Sequence, residues 1–203
     1  MPRQTRKTPQ ERQEAVKAVA LKLFQERGFH NVTTKDIAEA SGLSRALIYR
    51  YKISKHELLS EILRDMIAAQ AQQLSTVELN RSSPQAMIFD YFERLFLLDM
   101  TNITLRRLAV QHSWTWDQKT ETAFYVQMGA IFEPIDGPLR TKWGIDLHEP
   151  ARHALWAIYT ESLRTYLGWR GEQTPPAVAY WRLMFQPQAG LVIAGLASGD
   201  QYR

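Results

Sequence analysis

Residues 44–51, SRALIYRY, combine cationic, hydroxyl and aromatic side chains in a pattern suited to DNA binding. Ser44 and Arg45 stand at the predicted start of a short helix, where free N–H groups and the helix dipole favour phosphate. Arg50 carries a planar guanidinium that can bind phosphate or the O6/N7 edge of guanine. We therefore interpret this helix as one that reads DNA.

Three further side chains of the same segment fit that interpretation. Tyr49 and Tyr51 can donate their hydroxyls to phosphate, and Leu47 can meet a thymine methyl group. The alternative is a small helical hairpin with an ordinary charged face, which the pattern alone leaves open.

The preceding residues predict the helix and turn that would present this segment. Thr33 and Asp36 form a capping box at the start of a helix. Gly42 stands where a turn needs a positive φ, and Ser44 can cap the next helix, predicted from about 45 to 51. Two short helices joined by a turn containing Gly form the helix-turn-helix motif, whose second helix enters the major groove.

The segments on either side extend the pattern to four helices. A capping box with proline, Thr8-Pro9-Gln10-Glu11, starts a first helix that Gly28 ends. A second capping box, Ser54 to Glu57, starts a helix over 54–75 that would connect the two halves of the chain. We predict a DNA-binding domain at 1–57 and a second domain at 58–203.

Residues 9–58 resemble the N-terminal domain of the TetR family of bacterial transcription regulators, through RGFHNVTTKDIAEASGLS, IYRY and SKHELL. The resemblance implies an all-α homodimeric repressor that binds a double-stranded DNA operator and is released by a small molecule bound to its C-terminal domain. The DNA contacts that it implies fall on Thr34, Ser44, Arg45, Leu47, Tyr49, Arg50, Tyr51 and Lys55.

One position departs from the family pattern. The family usually has an aromatic residue where this chain has Lys52, followed by Ile53. Either Ile53 fills the core position after a local shift, or Lys52 is a further phosphate contact.

The charge distribution agrees with a nucleic-acid-binding N-terminal domain. Residues 1–57 hold twelve Lys and Arg against six Asp and Glu, whereas residues 58–203 hold thirteen against fifteen. A basic region confined to one end of the chain is typical of proteins that bind nucleic acid. A DNA-binding enzyme would share this asymmetry, so the charge indicates the partner and not the activity.

The composition excludes several other classes. The 203 residues include no cysteine, which excludes disulfides, thiolate catalysis and Cys-ligated zinc. The N-terminus has no apolar secretory segment, and the uncharged run 183–199 contains Pro187, so we expect a cytoplasmic protein without a membrane span. No HExxH, GxSxG, phosphate-loop or dinucleotide-binding motif occurs. We therefore expect no metal, no cofactor and no enzyme activity.

The second half predicts helices throughout, giving an all-α chain of about nine helices. Ser83-Pro84 starts the first helix after a polar boundary at 74–83. We expect Pro134, Gly137 and Pro138 to interrupt a helix that carries Phe132, and a last helical piece at 139–143.

Large aromatic residues with a few polar groups among them are concentrated in residues 84–170. Such a set can line an apolar pocket between helices or simply form an aromatic core. The candidate ligand-binding residues are His112, Trp116, Phe124, Gln127, Met128, Trp156 and Tyr159.

The last two predicted helices, 149–169 and 174–197, carry apolar residues on more than one side. A second copy of the chain is the simplest cover, and the family resemblance implies a dimer through these helices. A two-fold dimer would place its recognition helices ~34–36 Å apart on a pseudo-palindromic operator.

The alternative to a repressor released by a small molecule is a DNA-binding interaction protein that a protein partner controls through its second domain. A third hypothesis is an all-α enzyme with a basic N-terminus.

Replacing Arg45 or Arg50 by Ala tests the predicted recognition helix. Loss of a base-edge contact should weaken operator binding by roughly 1–3 kcal/mol, measured by titration onto labelled operator DNA. Unchanged affinity in both variants would mean that the recognition helix lies elsewhere.

Overall fold

The computed structural model describes residues 8–42, 54–112, 117–169 and 178–198, apart from the side chains of residues 120, 127 and 169. These ranges contain nine α-helices, one 3-10 turn and no β-strand, which confirms the all-α prediction. The helices are α1 (Pro9–Arg27), α2 (Thr34–Ser41), α3 (Lys55–Ser75), α4 (Pro84–Thr101), α5 (Ile103–His112), α6 (Gln118–Gly129), α7 (Glu133–Trp143), α8 (Glu149–Trp169) and α9 (Val178–Ser198). The 3-10 turn spans Phe29–Asn31. No helix in the described ranges has the length and apolar character needed to cross a membrane.

Side-chain caps start the N-terminal helices where the sequence predicts them. Thr8, Thr33 and Ser54 each accept a hydrogen bond from the N–H three residues on, and the acidic residue there bonds back to the cap N–H. Such boxes satisfy N–H groups that a helix leaves free at its start. Gly28 and Gly42 follow α1 and α2 with φ of 78° and 69°, which glycine adopts without strain.

The segment around the two prolines differs from the prediction. We expected an interruption at Pro134, Gly137 and Pro138, but α7 is continuous through all three, and Phe132 lies in the turn before it. Pro134 is in the first turn, where the helix needs no N–H donor, so Pro138 removes a single hydrogen bond. Ile135 and Leu139 are completely buried on one face, which offsets that loss.

The N-terminal core includes a helix from the second half of the chain. Residues of α1, α2, the 3-10 turn and α3 surround a buried cluster centred on Phe24, Phe29 and Ile37. Leu105, Leu108 and Ala109 of α5 belong to the same cluster. The domain division at residue 57 stays a prediction, and this core draws on both sides of it.

The second core is formed by stacked aromatic rings between α4, α8 and α9. Trp181 is stacked on Phe96 and on Phe185, with ring centroids 4.8 Å apart in both pairs. The Trp181 indole N–H donates to Ser162 Oγ over 2.9 Å, so its polar atom is satisfied. These contacts hold α8 and α9 against each other and against α4.

A buried polar network crosses this core. Asp99 on α4 accepts hydrogen bonds from Gln70 Nε2 of α3 (2.6 Å), from the Tyr159 hydroxyl of α8 (2.5 Å) and from Arg106 Nη2 of α5. All four side chains are buried. Removing one partner from a buried ion pair costs about 3–5 kcal/mol, because the remaining charge is uncompensated. The network therefore fixes four helices in one arrangement.

Candidate nucleic-acid interface

The start of α2 is rigidly built and carries the first predicted DNA contact. Asp36 Oδ2 accepts from the Thr33 N–H (2.8 Å) and the Thr33 hydroxyl (2.5 Å), and these bonds lower the pKa of Asp36. Thr34 is the first residue of α2 and is half-buried. A helix N-terminus of this kind offers N–H groups and a positive dipole end to phosphate.

The end of α2 forms the predicted turn. Gly42 adopts a left-handed conformation, and its N–H donates to carbonyls of the last helical turn at Ala38 and Glu39. Ile37 and Ala38 hold α2 against the N-terminal core. This geometry fixes the direction in which the chain leaves α2.

The predicted recognition helix follows directly. Ser44, Arg45, Leu47, Tyr49, Arg50 and Tyr51 lie at 43–53, outside the described residues, as does Lys52. Their DNA contacts, and the two alternatives for Lys52, stay predictions. The described residues on either side are the turn at Gly42 and the cap of α3 at Ser54.

Lys55, the last predicted phosphate contact, has partners within the chain. Its Nζ donates to the carbonyl oxygens of Phe29 (3.0 Å), Val32 (3.1 Å) and His30 (3.5 Å). The same Nζ lies 4.6 Å from the centre of the Phe29 ring. Lys55 therefore ties the start of α3 to the segment that precedes α2, and its contact with phosphate stays a prediction.

A second set of ionic contacts joins α1 to α3. The Lys17 ammonium lies 2.5 Å from Asp65 and 2.6 Å from Glu14. Burial lowers the pKa of Lys17, but the hydrogen bonds to the two carboxylates outweigh it and the net pKa is raised. Gln13 Nε2 also donates to Glu61 over 3.1 Å. These contacts hold α1 against α3.

The candidate ligand-binding residues fall into two separate places. His112 is buried against Phe29 of the N-terminal core, whereas Met128, Trp156 and Tyr159 belong to the second core. Phe124 is half-buried between the two clusters. Trp116 and the Gln127 side chain lie outside the described set. Their common role in binding a ligand stays a prediction.

Tyr159 is the best-connected member of that list. Its ring packs against Phe92 and Trp156, with ring centroids 5.3 and 5.6 Å away, and its hydroxyl donates to Asp99. Burial and the nearby Asp99 carboxylate raise its pKa well above the ordinary value of 10.0. The hydroxyl is therefore a hydrogen-bond donor at any physiological pH.

A surface groove beside α4 and α9 has no counterpart in the sequence analysis. Its volume is about 670 Å³, and its walls include Phe89, Glu93, Arg94 and Arg182. Both arginines are paired, Arg182 with Glu93 at 2.6 Å and Arg94 with Asp90 at 3.0 Å. Within the described ranges, no three His, Asp or Glu side chains are placed to hold a metal ion.

Replacing Lys55 by Met tests what its ammonium does. Loss of the charge-assisted bonds to three carbonyls should lower the free energy of unfolding by about 1.5 kcal/mol, the lower end of the range because Lys55 is half exposed. Urea titration measures this change. Lys35→Met is the control, because the Lys35 ammonium is exposed and lies 3.9 Å from the Glu39 carboxylate.

The salt dependence of DNA binding tests the other role predicted for Lys55, which is a contact with phosphate. A phosphate contact from Lys55 would reduce the slope of log affinity against log salt by about one in the Met variant. Unchanged stability together with a reduced slope would contradict the tie between α3 and the 3-10 turn.

Comparison with known proteins identifies the fold. Residues 18–62 match the family model of bacterial regulatory proteins of the tetR family. No curated protein matches the sequence closely enough to count as a relative. A TetR-family regulator from Syntrophomonas wolfei aligns with a TM-score of 0.65 at 16% identity, over 92% of this chain and 97% of that chain.

Two other solved structures with the same fold are regulators in complex with an acyl-CoA. FadR of Thermus thermophilus, a TetR-family repressor in complex with lauroyl-CoA, aligns with a TM-score of 0.63 at 19% identity, over 94% of this chain and 96% of its own. FadR of Bacillus subtilis, in complex with stearoyl-CoA, gives 0.59 at 17% identity over 93% and 99%. Residues 18–62 are therefore similar to the tetR family of bacterial regulatory proteins, and the chain shares the fold of solved TetR-family regulators over more than nine-tenths of its length.

Proposed function

We propose that this chain is a transcriptional repressor of the TetR type that binds operator DNA as a homodimer and is released by a small apolar or aromatic effector. The observation that carries the proposal is the rigid helix and turn from Thr33 to Gly42, located within the family match at 18–62. It lies directly before the predicted recognition helix, which carries Arg45 and Arg50.

The exposed face of α9 supports the dimer. Leu183 is 74% exposed and Leu191 is 77% exposed, and both lie on one stripe of the helix together with exposed Pro187. The opposite face of α9 packs into the second core through Trp181 and Phe185. Large apolar side chains this exposed at regular helical spacing indicate a surface that another protein covers. A second α9 related by a two-fold axis would present the same stripe.

Replacing both Leu183 and Leu191 by Glu should convert a dimer to a monomer, because four like charges would meet at one interface. Analytical ultracentrifugation measures the mass, and operator affinity should fall together with it, since each half-site then binds alone. Val126→Glu on α6 is the matched control, because Val126 is 76% exposed but lies outside α8 and α9. A double variant that stays dimeric would place the interface elsewhere.

The effector we propose has a long apolar part. Two structural neighbours were solved with lauroyl-CoA and stearoyl-CoA. In this chain the second core is lined with aromatic rings and contains the buried Asp99 carboxylate and Arg106 guanidinium. An apolar chain entering between α4 and α8 would have to displace rings such as Phe92 and Tyr159. That displacement would reach α3 through Gln70, which bonds to Asp99.

Release of bound DNA by acyl-CoA tests this effector class. The protein is first bound to labelled DNA flanking its own gene, and lauroyl-CoA or stearoyl-CoA is then added, with coenzyme A alone as the control. We expect at least a tenfold loss of affinity, which requires a preference of about 1.4 kcal/mol for the DNA-free state. Intact DNA binding that no acyl-CoA affects would exclude the effector class and leave the DNA-binding role standing.

A protein partner is the second candidate for control of the same DNA-binding domain. Tyr125 and Val126 on α6 are exposed apolar residues outside the proposed dimer helices. A regulator covered at α6 by a partner protein would respond to that partner instead of a metabolite.

A further inference from the structure

Phe29 is the centre of an unusual cluster between the N-terminal core and α5. Its ring is 4.2 Å from the His112 ring, 5.1 Å from the His56 ring and 6.1 Å from the His30 ring, measured between centroids. His30 and His112 are themselves 4.8 Å apart. Three of the five histidines of the chain therefore meet around one phenylalanine.

Each imidazole comes from a different element. His30 is in the 3-10 turn, His56 is in the first turn of α3, and His112 is the last residue of α5. His112 is only 4% exposed, His56 is half-buried and His30 is exposed. The cluster is thus a joint where α5 of the second half rests on the end of α1 and the start of α3.

Among the described residues, the ionisable groups that shift the pKa of His112 and His56 are histidines and a lysine. The ionisable neighbours that influence His112 are His30, His56 and Lys55, and those that influence His56 are Lys55 and His30. Glu57, the nearest carboxylate in sequence to His56, bonds to the N–H of Ser54 as part of the cap of α3. Residues 113–116, which follow His112, are Ser, Trp, Thr and Trp and carry no acidic group.

Burial lowers the pKa of His112 and His56 below 6.5, and the cationic neighbours lower both further. The carbonyl end of α5 favours a protonated His112, but it opposes these effects only in part. The Lys55 ammonium already occupies a position 4.6 Å from the Phe29 ring centre. A protonated His112 would therefore place a second cation, and a buried one, against the same ring.

We propose that the cluster of His30, His56, His112 and Lys55 around Phe29 is an acid-sensitive joint that releases α5 from the N-terminal core when its imidazoles become protonated. This property is independent of the operator and of any effector. It would make the contact between the two halves of the protein weaker in mildly acidic conditions.

The sign of the pH effect follows from the lowered pKa values. Below pH 6.5 the unfolded chain binds protons on His56 and His112 more readily than the folded chain does, so stability falls as the pH drops below 6.5. Above that range the imidazoles are neutral in both states and the effect disappears.

Thermal unfolding of the full chain at pH 7.5 and pH 5.5 tests the proposal. His112→Phe keeps an aromatic ring on Phe29 but cannot be protonated. We expect the acid-induced fall in Tm to be smaller in this variant than in the wild type by about 2–4 °C, the shift expected for one such site in a chain of this size. His153→Gln is the matched control, because His153 is exposed on α8 and should leave the fall in Tm unchanged.

Amide hydrogen exchange distinguishes local release of α5 from general destabilisation of the protein. The rates are first corrected for the intrinsic effect of pH on exchange. Protection at 29–32 and 105–112 should fall selectively at pH 5.5 in the wild type and persist in His112→Phe, whereas protection at 155–166 should persist in both. Equal protection at both pH values, or the same loss in His112→Phe, would overturn the proposal.

Should the Phe variant not fold, NMR titration of the imidazoles in the unmodified chain decides the question. His56 and His112 should both titrate below 6.5, the ordinary pKa of histidine. Titration of His112 at or above 6.5 would overturn the proposal.

Discussion

The burial of α5 in the N-terminal core is the contact on which the rest of the molecule depends. Leu105, Leu108 and Ala109 close a cluster that α1, α2 and α3 leave open. Protein interiors are close-packed and respond to small displacements. A shift of α5 would therefore disturb the packing of the N-terminal core. Helix α2 is therefore linked through this core to α5 of the second half of the chain.

The other side of α5 is bound to the second core by an ionic contact. Arg106 is adjacent in sequence to Leu105 but its guanidinium points to Asp99, which also binds Gln70 of α3 and Tyr159 of α8. One helix thus carries an apolar contact to the N-terminal core and an ionic contact to the second core. A ligand that moved α8 or α4 would shift Asp99, and α3 and α5 would follow.

The local architecture of the N-terminal half was predictable because its signals are local. Thr8, Thr33 and Ser54 cap helices with partners three residues away, and Gly42 has the positive φ that its turn requires. The tertiary contacts were not predictable in the same way. The helical period of α5 shows that Leu105 and Leu108 are buried but not which neighbour covers them, and nothing in the spacing of Asp99 and Arg106 reveals that they pair across two helices. The continuity of α7 through Pro138 likewise depends on the burial of Ile135 and Leu139, which only the tertiary structure supplies.

One titration tests most directly whether the protein binds DNA in a sequence-specific way. The purified full chain is titrated onto labelled DNA flanking its own gene, at two salt concentrations, with an excess of random DNA as competitor. A specific regulator predicts tight binding that survives the competitor and weakens steeply with salt, as phosphate neutralisation requires. Weak binding that the competitor abolishes and that follows salt alone would contradict a specific regulator acting at that locus.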